Sequence, residues 1–288
     1  PAALLRGKPD GADENQGGLW KYRTVVIWDL NRVRQESARP ALVRRPRHLV
    51  VAPSGADLDA AVERLLRADR LVVDIETSGT PFDDLDADTQ TYLLKRADTP
   101  EKVADVKERL NTFPLTGEIV AIGVLDVDTQ EGVVYFTCPG RAIAAWTEEG
   151  TRYEPGTERE CLEQFWARAA TANQIITFSG RGFDAPWLML RAIVHNVRVT
   201  KNLMPNRFST DTHLDLADQL SFYGATRPYS LDFWCKTLGI TSPKTDIIGK
   251  DVPQIFQAGE YERIARYNAR DLVATRALFL KWQATMGK

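Results

Sequence analysis

Asp74-Ile75-Glu76-Thr77 closes a short apolar run, Leu71-Val72-Val73. In a strand, residues i and i+2 share a face, so the Asp74 and Glu76 carboxylates project together. Two carboxylates held that closely repel unless a cation sits between them. An all-oxygen donor set suits hard divalent cations such as Mg²⁺. The triplet alone carries little weight: 39 acids in 288 residues give about five acid-x-acid triplets by chance. Its setting carries more, because an acid inside an apolar strand is costlier than one in a loop.

Two further elements have chemistry to offer. Phe178-Ser179-Gly180-Arg181-Gly182-Phe183-Asp184-Ala185-Pro186 reads as a strand end, a glycine turn and a helix opened by Asp184. Its plainer reading is helix capping, Asp at the start and proline just inside. Tyr267-Asn268-Ala269-Arg270-Asp271 lies in the last helical stretch. The i, i+4 spacing sets the Tyr267 hydroxyl and the Asp271 carboxylate on one helix face. Leu272, Val273 and Ala274 follow, so the plainer reading is a partly buried, hydrogen-bonded Asp.

The order of the three elements is the specific signal. It resembles the DnaQ-like, or DEDD, superfamily of 3′–5′ exonucleases in its tyrosine-containing branch, over roughly residues 70–285. From His213 onward the chain looks like the predicted exonucleases related to the proofreading domain of family B DNA polymerases. Asp215-Leu216, Ser230-Leu231, Leu238-Gly239-Ile240, Lys244 and Tyr267 to Asp271 carry that likeness. Those enzymes usually have Asn where this chain has Ser179, which offers a shorter reach to the substrate.

The resemblance implies a ribonuclease H-like α/β (α+β) fold and a metal-dependent 3′–5′ exonuclease releasing nucleoside 5′-monophosphates from DNA. It implies Asp74, Glu76, Asp184 and Asp271 as ligands to two divalent ions, Mg²⁺ or Mn²⁺, whose four positive charges balance four carboxylates. Tyr267, with an ordinary pKa near 10, is implied as a positioner of the attacking water rather than a free base. Thr77, Phe178, Ser179, Phe183 and Lys244 are the implied substrate contacts. Phe178, Phe183 and Trp187 offer rings for base stacking; an aromatic beside a helix start is more often core. Lys244 offers phosphate a point charge, although an exposed lysine is usually just solvated. An RNA-trimming exonuclease is the rival within enzymes. A catalytically silent nucleic-acid-binding scaffold is the rival from another class.

These residues need a core to hold them. Leu71 to Ile75, Ile119 to Asp126, Gly132 to Phe136, Gln174 to Phe178 and His213 to Leu216 read as strands, the second and third as a hairpin. Thr89 to Ala97, Pro100 to Leu110, Thr157 to Ala170, Pro186 to Val194 and a long segment from Tyr261 to about Thr285 read as helices. The mixture predicts three layers. Residues 69–288 form the expected exonuclease domain, with residues 81–113 a helical insertion near the site mouth. Residues 1–68 form an N-terminal extension, with strands at Thr24 to Trp28 and His48 to Ala52 and a helix at Asp57 to Arg67. Its first 48 residues carry ten basic and five acidic side chains. That excess suits a solvated tail, a phosphate-contacting arm or a docking piece for a protein partner.

Composition excludes other classes. Lysine plus arginine is 37 against 39 acids, a formal charge of −2, which argues against a generic nucleic-acid coat. There is no run of about twenty apolar residues, so no membrane span is expected. Pro1 to Asp10 lacks the apolar core of a secretory signal. Cys138, Cys161 and Cys235 are too scattered for a disulfide framework or a zinc pattern, so a cytoplasmic setting is expected. His48, His195 and His213 read as surface or satisfied core histidines. Asp83-Asp84-Leu85-Asp86-Ala87-Asp88 lacks the glycine and distal Glu of an EF-hand and reads as solvated or capping.

Overall fold

A computed structural model describes residues 69–244 and 247–287. The sequence readings on residues 1–68 fall outside the described residues. The strands among the described residues form one seven-stranded mixed sheet, ordered β4-β5-β3-β2-β1-β6-β7. They are β1 (Arg70–Gly79), β2 (Gly117–Asp126), β3 (Gly132–Thr137), β4 (Trp146–Glu148), β5 (Thr151–Gly156), β6 (Gln174–Thr177) and β7 (His213–Asp215). β1, β2 and β3 run as an antiparallel meander; β6 and β7 add in parallel on the other side of β1. The β4–β5 hairpin was not anticipated from sequence. It turns on Glu149 and Gly150, both at positive φ, as a two-residue hairpin loop demands.

Helices are α1 (Ala87–Leu94), α2 (Pro100–Glu108), α3 (Glu158–Thr171), α4 (Asp184–Val194), α5 (Leu216–Leu220), α6 (Leu231–Leu238), α7 (Val252–Gln257) and α8 (Tyr261–Thr285). Alternation along β1 divides the core. Leu71, Val73 and Ile75 pack with α3 and α4 on one face; Val72 packs with α7 and α8 on the other. The fold is therefore a three-layer α/β sandwich of the ribonuclease H-like type. The expected hairpin, long last helix and layer count are present. Asp86 caps α1 through the Thr89 N–H, so the acidic run does capping work. α1 and α2 bury no side chain. The turn that follows them, Leu110–Thr112, anchors the insertion: Leu110 is buried and the Asn111 carbonyl accepts the Thr77 hydroxyl at 2.8 Å.

One buried ion pair braces α4, the helix that begins with Asp184. Glu158 at the start of α3 takes Arg191 in a two-pronged pair at 2.7 and 2.6 Å, and His195 Nε2 at 2.7 Å. The Ile119 N–H donates to the same carboxylate, and Arg191 also reaches the Pro114 carbonyl. His195 and His213 are both satisfied by protein partners, His213 by Thr177 and the Leu203 carbonyl. Removing one partner of a buried pair strands a charge, at a cost of about 3–5 kcal/mol. Arg191→Met should therefore lower the unfolding free energy by about that much in urea titration; an unchanged midpoint would show that the brace is dispensable.

Candidate active site

Asp74 and Glu76 leave β1 on the α8 face, two residues apart. A bulge follows at once. Glu76 pairs with Ala121 but Thr77 pairs with Ile119, so β2 carries one extra residue there. Bulges bend and twist a strand and are common beside functional sites. Here Val120 and Ala121 both face the α8 side as a result. Glu76 is buried and Asp74 is partly exposed.

Asp271 comes from α8. Oxygens of Asp74, Glu76 and Asp271 lie within 4.8 Å of one another. Asp184 joins from the other side of β1. It begins α4 without capping it; its Oδ1 instead accepts the Ile75 N–H at 3.0 Å. β6 pairs with β1 only as far as Val72 and ends at Thr177, so the Ile75 N–H finds its acceptor in Asp184 rather than in a strand. The capping explanation of Asp184 is thereby replaced: its carboxylate turns back onto the sheet. It lies outside the three-carboxylate group but close enough for its charge to act on Asp74 and Glu76.

Burial and mutual repulsion dominate the electrostatics. Loss of hydration, then the charges of Asp271 and Asp184, raise Asp74 and Glu76 well above the carboxylate range. Burial lifts Asp184 to about 7, and Asp271 to about 6. Against this stand several donors. Tyr267 is buried and donates its hydroxyl to Asp271, while burial and the surrounding acids push its own pKa upward. The Lys244 and Arg270 charges pull Asp271 down.

Asn268 was not singled out from the sequence. It is fully buried, and its Nδ2 donates to Asp74 at 2.7 Å. Its Oδ1 has no hydrogen-bond partner among the described residues. Turning the amide over would aim that oxygen at the carboxylate, so Asp74 dictates its orientation. Gly123, opposite Asp74 on β2, makes the approach feasible: a Cβ there would overlap Asn268 Oδ1 and come within 2.7 Å of Leu272. An isolated Gly in an apolar strand was the available signal.

Asp215 supports Asp184 at one remove. Its carboxylate accepts the N–H groups of Ser179, Arg181 and Ala217, at 2.9, 2.8 and 2.9 Å. It therefore shapes the turn leading into α4. Within that turn Ser179 has φ +62°, a left-handed conformation that favours Asn or Gly. Its side chain is exposed; Phe178 and Phe183 are half-buried against opposite faces of the core, and Trp187 is fully core. Thr77 is buried with its hydroxyl committed to Asn111. Lys244 is exposed, on a segment tied to α8 by Arg270 and the Pro243 carbonyl.

The metal-free cluster should set a characteristic pH dependence. Folding raises these carboxyl pKa values, the reverse of a salt-bridged acid. The penalty is thus absent below the unfolded pKa near 3.8, grows as pH rises, and is complete above about 7 for Asp184 and about 6 for Asp271. Asp184→Asn and Asp271→Asn should each stabilise the chelated protein by on the order of 2 kcal/mol at pH 8 and by little near pH 4. Thermal melts of variant and parent in EDTA across that range measure the difference; a gap independent of pH would contradict the repulsion.

None of the described helices is long and apolar enough to cross a membrane. No curated protein matches this chain. Residues 118–288 match a family described as a predicted 3′–5′ exonuclease related to the exonuclease domain of PolB. Asp184, Tyr267 and Asp271 lie inside that span, while Asp74 and Glu76 precede it on the neighbouring strand. With over half its length matched, the chain belongs to this family of predicted 3′–5′ exonucleases related to the PolB exonuclease domain.

Proposed function

We propose that this chain hydrolyses DNA from its 3′ end, releasing nucleoside 5′-monophosphates, with two divalent ions (Mg²⁺ or Mn²⁺) held by Asp74, Glu76, Asp184 and Asp271. One observation carries the reading: carboxylate oxygens of Asp74, Glu76 and Asp271 converge within 4.8 Å in a member of an exonuclease family. The donors fit the ions, since all are hard oxygen ligands and their negative charge lacks a full counter-charge from the protein. When bound, such ions supply Lewis-acid charge to the phosphate and lower the pKa of water.

The chain's own groups do the positioning. Asn268 aims Asp74, and the Ile75 N–H aims Asp184. Tyr267, its pKa raised, keeps its proton at neutral pH. It acts as a donor that steadies Asp271 and orients the attacking water, not as a base. Lys244 meets a substrate phosphate as a point charge, beside Asp271. Ser179 and the exposed edges of Phe178 and Phe183 line the path of the terminal nucleotides, with Thr77 supporting it from beneath through Asn111. In this reading residues 69–288 are the nuclease domain, residues 81–113 shape its mouth, and residues 1–68 serve as an accessory or partner-docking segment.

A labelled single strand, a 3′-recessed duplex and an RNA of the same sequence, each incubated with Mg²⁺, Mn²⁺ or EDTA, provide the test. A ladder shortening from the 3′ end of DNA, mononucleotide products and no reaction in EDTA are expected. Cleavage of a closed single-stranded circle would instead make this an endonuclease, and faster loss of the RNA would move the assignment to an exoribonuclease. Asp74→Ala, Glu76→Ala, Asp184→Ala and Asp271→Ala should each abolish hydrolysis with the fold retained.

Tyr267→Phe separates positioning from proton transfer. A positioner's loss should reduce kcat by less than the ~10²–10⁴-fold typical of a general acid or base, with KM little changed and the acidic limb of the rate profile intact. Loss of that limb would make Tyr267 the proton carrier.

A further inference from the structure

From Phe208, before β7, to Phe233, within α6, the chain exposes aromatic rings that the core does not use. Phe208, Phe222, Phe233 and Tyr229 are 69%, 56%, 51% and 41% exposed. They are ordered. Tyr229 and Phe233 stack at 4.7 Å with planes 15° apart, and Phe208 meets Tyr223 edge-on at 4.9 Å. Gln219 fixes the Tyr223 hydroxyl at 2.7 Å.

The backbone under Phe222 is strained. Phe222 and Tyr223 have φ of +51° and +58°, followed by Gly224 at +92°. Two successive bulky residues in the left-handed region are unusual, and such strain gathers at ligand-binding positions. The strain here presents a phenyl ring to solvent.

Basic charge accompanies the rings. Arg227 lies 5.7 Å from the Tyr229 ring centre, and Arg207 adjoins Phe208 in sequence. Of the nearby acids, Asp218 faces Arg207 at 3.5 Å, Asp232 takes Lys236 at 2.8 Å, and Asp211 accepts the Ser209 hydroxyl at 3.4 Å. Segments beside each ring pair connect to the candidate active site. Arg181, in the turn before Asp184, donates to the Pro205 carbonyl at 2.7 Å. Asp232 accepts the Ser242 hydroxyl, and Ser242 in turn accepts the N–H of Lys244, whose charge acts on Asp271.

From these contacts we infer that Phe208, Phe222, Tyr229 and Phe233, with Arg207 and Arg227, form a stacking platform for the single-stranded segment behind the 3′ end. This rests on the nuclease reading and narrows its substrate to unpaired strands. Aromatic faces accept any unstacked base, and flanking arginines follow the phosphates. A duplex keeps its bases stacked and offers these rings nothing.

Fluorescence anisotropy of the full chain in EDTA tests this, using a labelled single strand of about twelve nucleotides, its blunt duplex and a trinucleotide. The single strand should bind more tightly than the duplex. Phe222→Ala and Phe233→Ala should each weaken long-strand binding roughly 5- to 100-fold, with a smaller effect on the trinucleotide. Tyr229→Phe, which keeps the ring face, should retain affinity where Tyr229→Ala loses it. With Mg²⁺, the alanine variants should raise KM for the long strand more than they lower kcat. Melting temperatures check that the variants fold. Unchanged affinity in Phe222→Ala and Phe233→Ala, with the parent still degrading the strand, would refute the platform, spare the nuclease reading and leave the rings to a protein partner. Tighter binding of the duplex would also refute the platform. A parent chain that neither binds nor degrades any strand would refute the nuclease reading, and the platform with it.

Discussion

Repulsion among acids with little water around them is the constraint on which the candidate site depends. Asp74, Glu76 and Asp271 bring oxygens within 4.8 Å, with Asp184 just beyond. Burial makes each charge expensive and makes each neighbouring charge more so. A chain folding for stability alone would replace at least one of them. This chain instead surrounds them with directed donors: the Ile75 N–H, the Asn268 amide and the Tyr267 hydroxyl. None of the three carries a positive charge. They fix where Asp184, Asp74 and Asp271 point without neutralising them, so a deficit of positive charge remains for whatever binds.

Delivery of the four acids follows from the sheet. β1 is central, so it supplies two acids from one strand and receives one from a helix on each face. β6 ends early beside it, and the vacated edge of β1 becomes the anchor for Asp184. Asp215, at the end of the next parallel strand, gathers the turn that carries the chain there. Glu158 and Arg191 then lock α4 against α3. The acids are held by the regular scaffold rather than by loops, which suits a site needing fixed distances.

Much of this was legible in the residues. The apolar run of β1, the β2–β3 hairpin and the long α8 follow from periodicity, and the family follows from three short motifs in order. What escaped had weaker local signals. The β4–β5 hairpin turns on Glu-Gly, a less telling pair than Asn-Gly. The turn of Asp184 away from capping depends on where β6 stops, a tertiary fact. Asn268 and Asp215 lay inside stretches already noted, but their partners are 194 and up to 36 residues away. No window of sequence relates such residues. The bulge at Glu76 is equally silent, since it arises from mismatch between two strands.

Gly123 gives the site a gauge. The interval between α8 and the sheet is set there by the absence of a side chain, since even a methyl group would strike Asn268 and Leu272. Asp271 and Tyr267 ride on that same helix, each within a turn of Asn268. The spacing of the whole carboxylate group is therefore fixed at a residue with no functional group at all. Any side chain at that point would disturb the acids through clearance rather than chemistry.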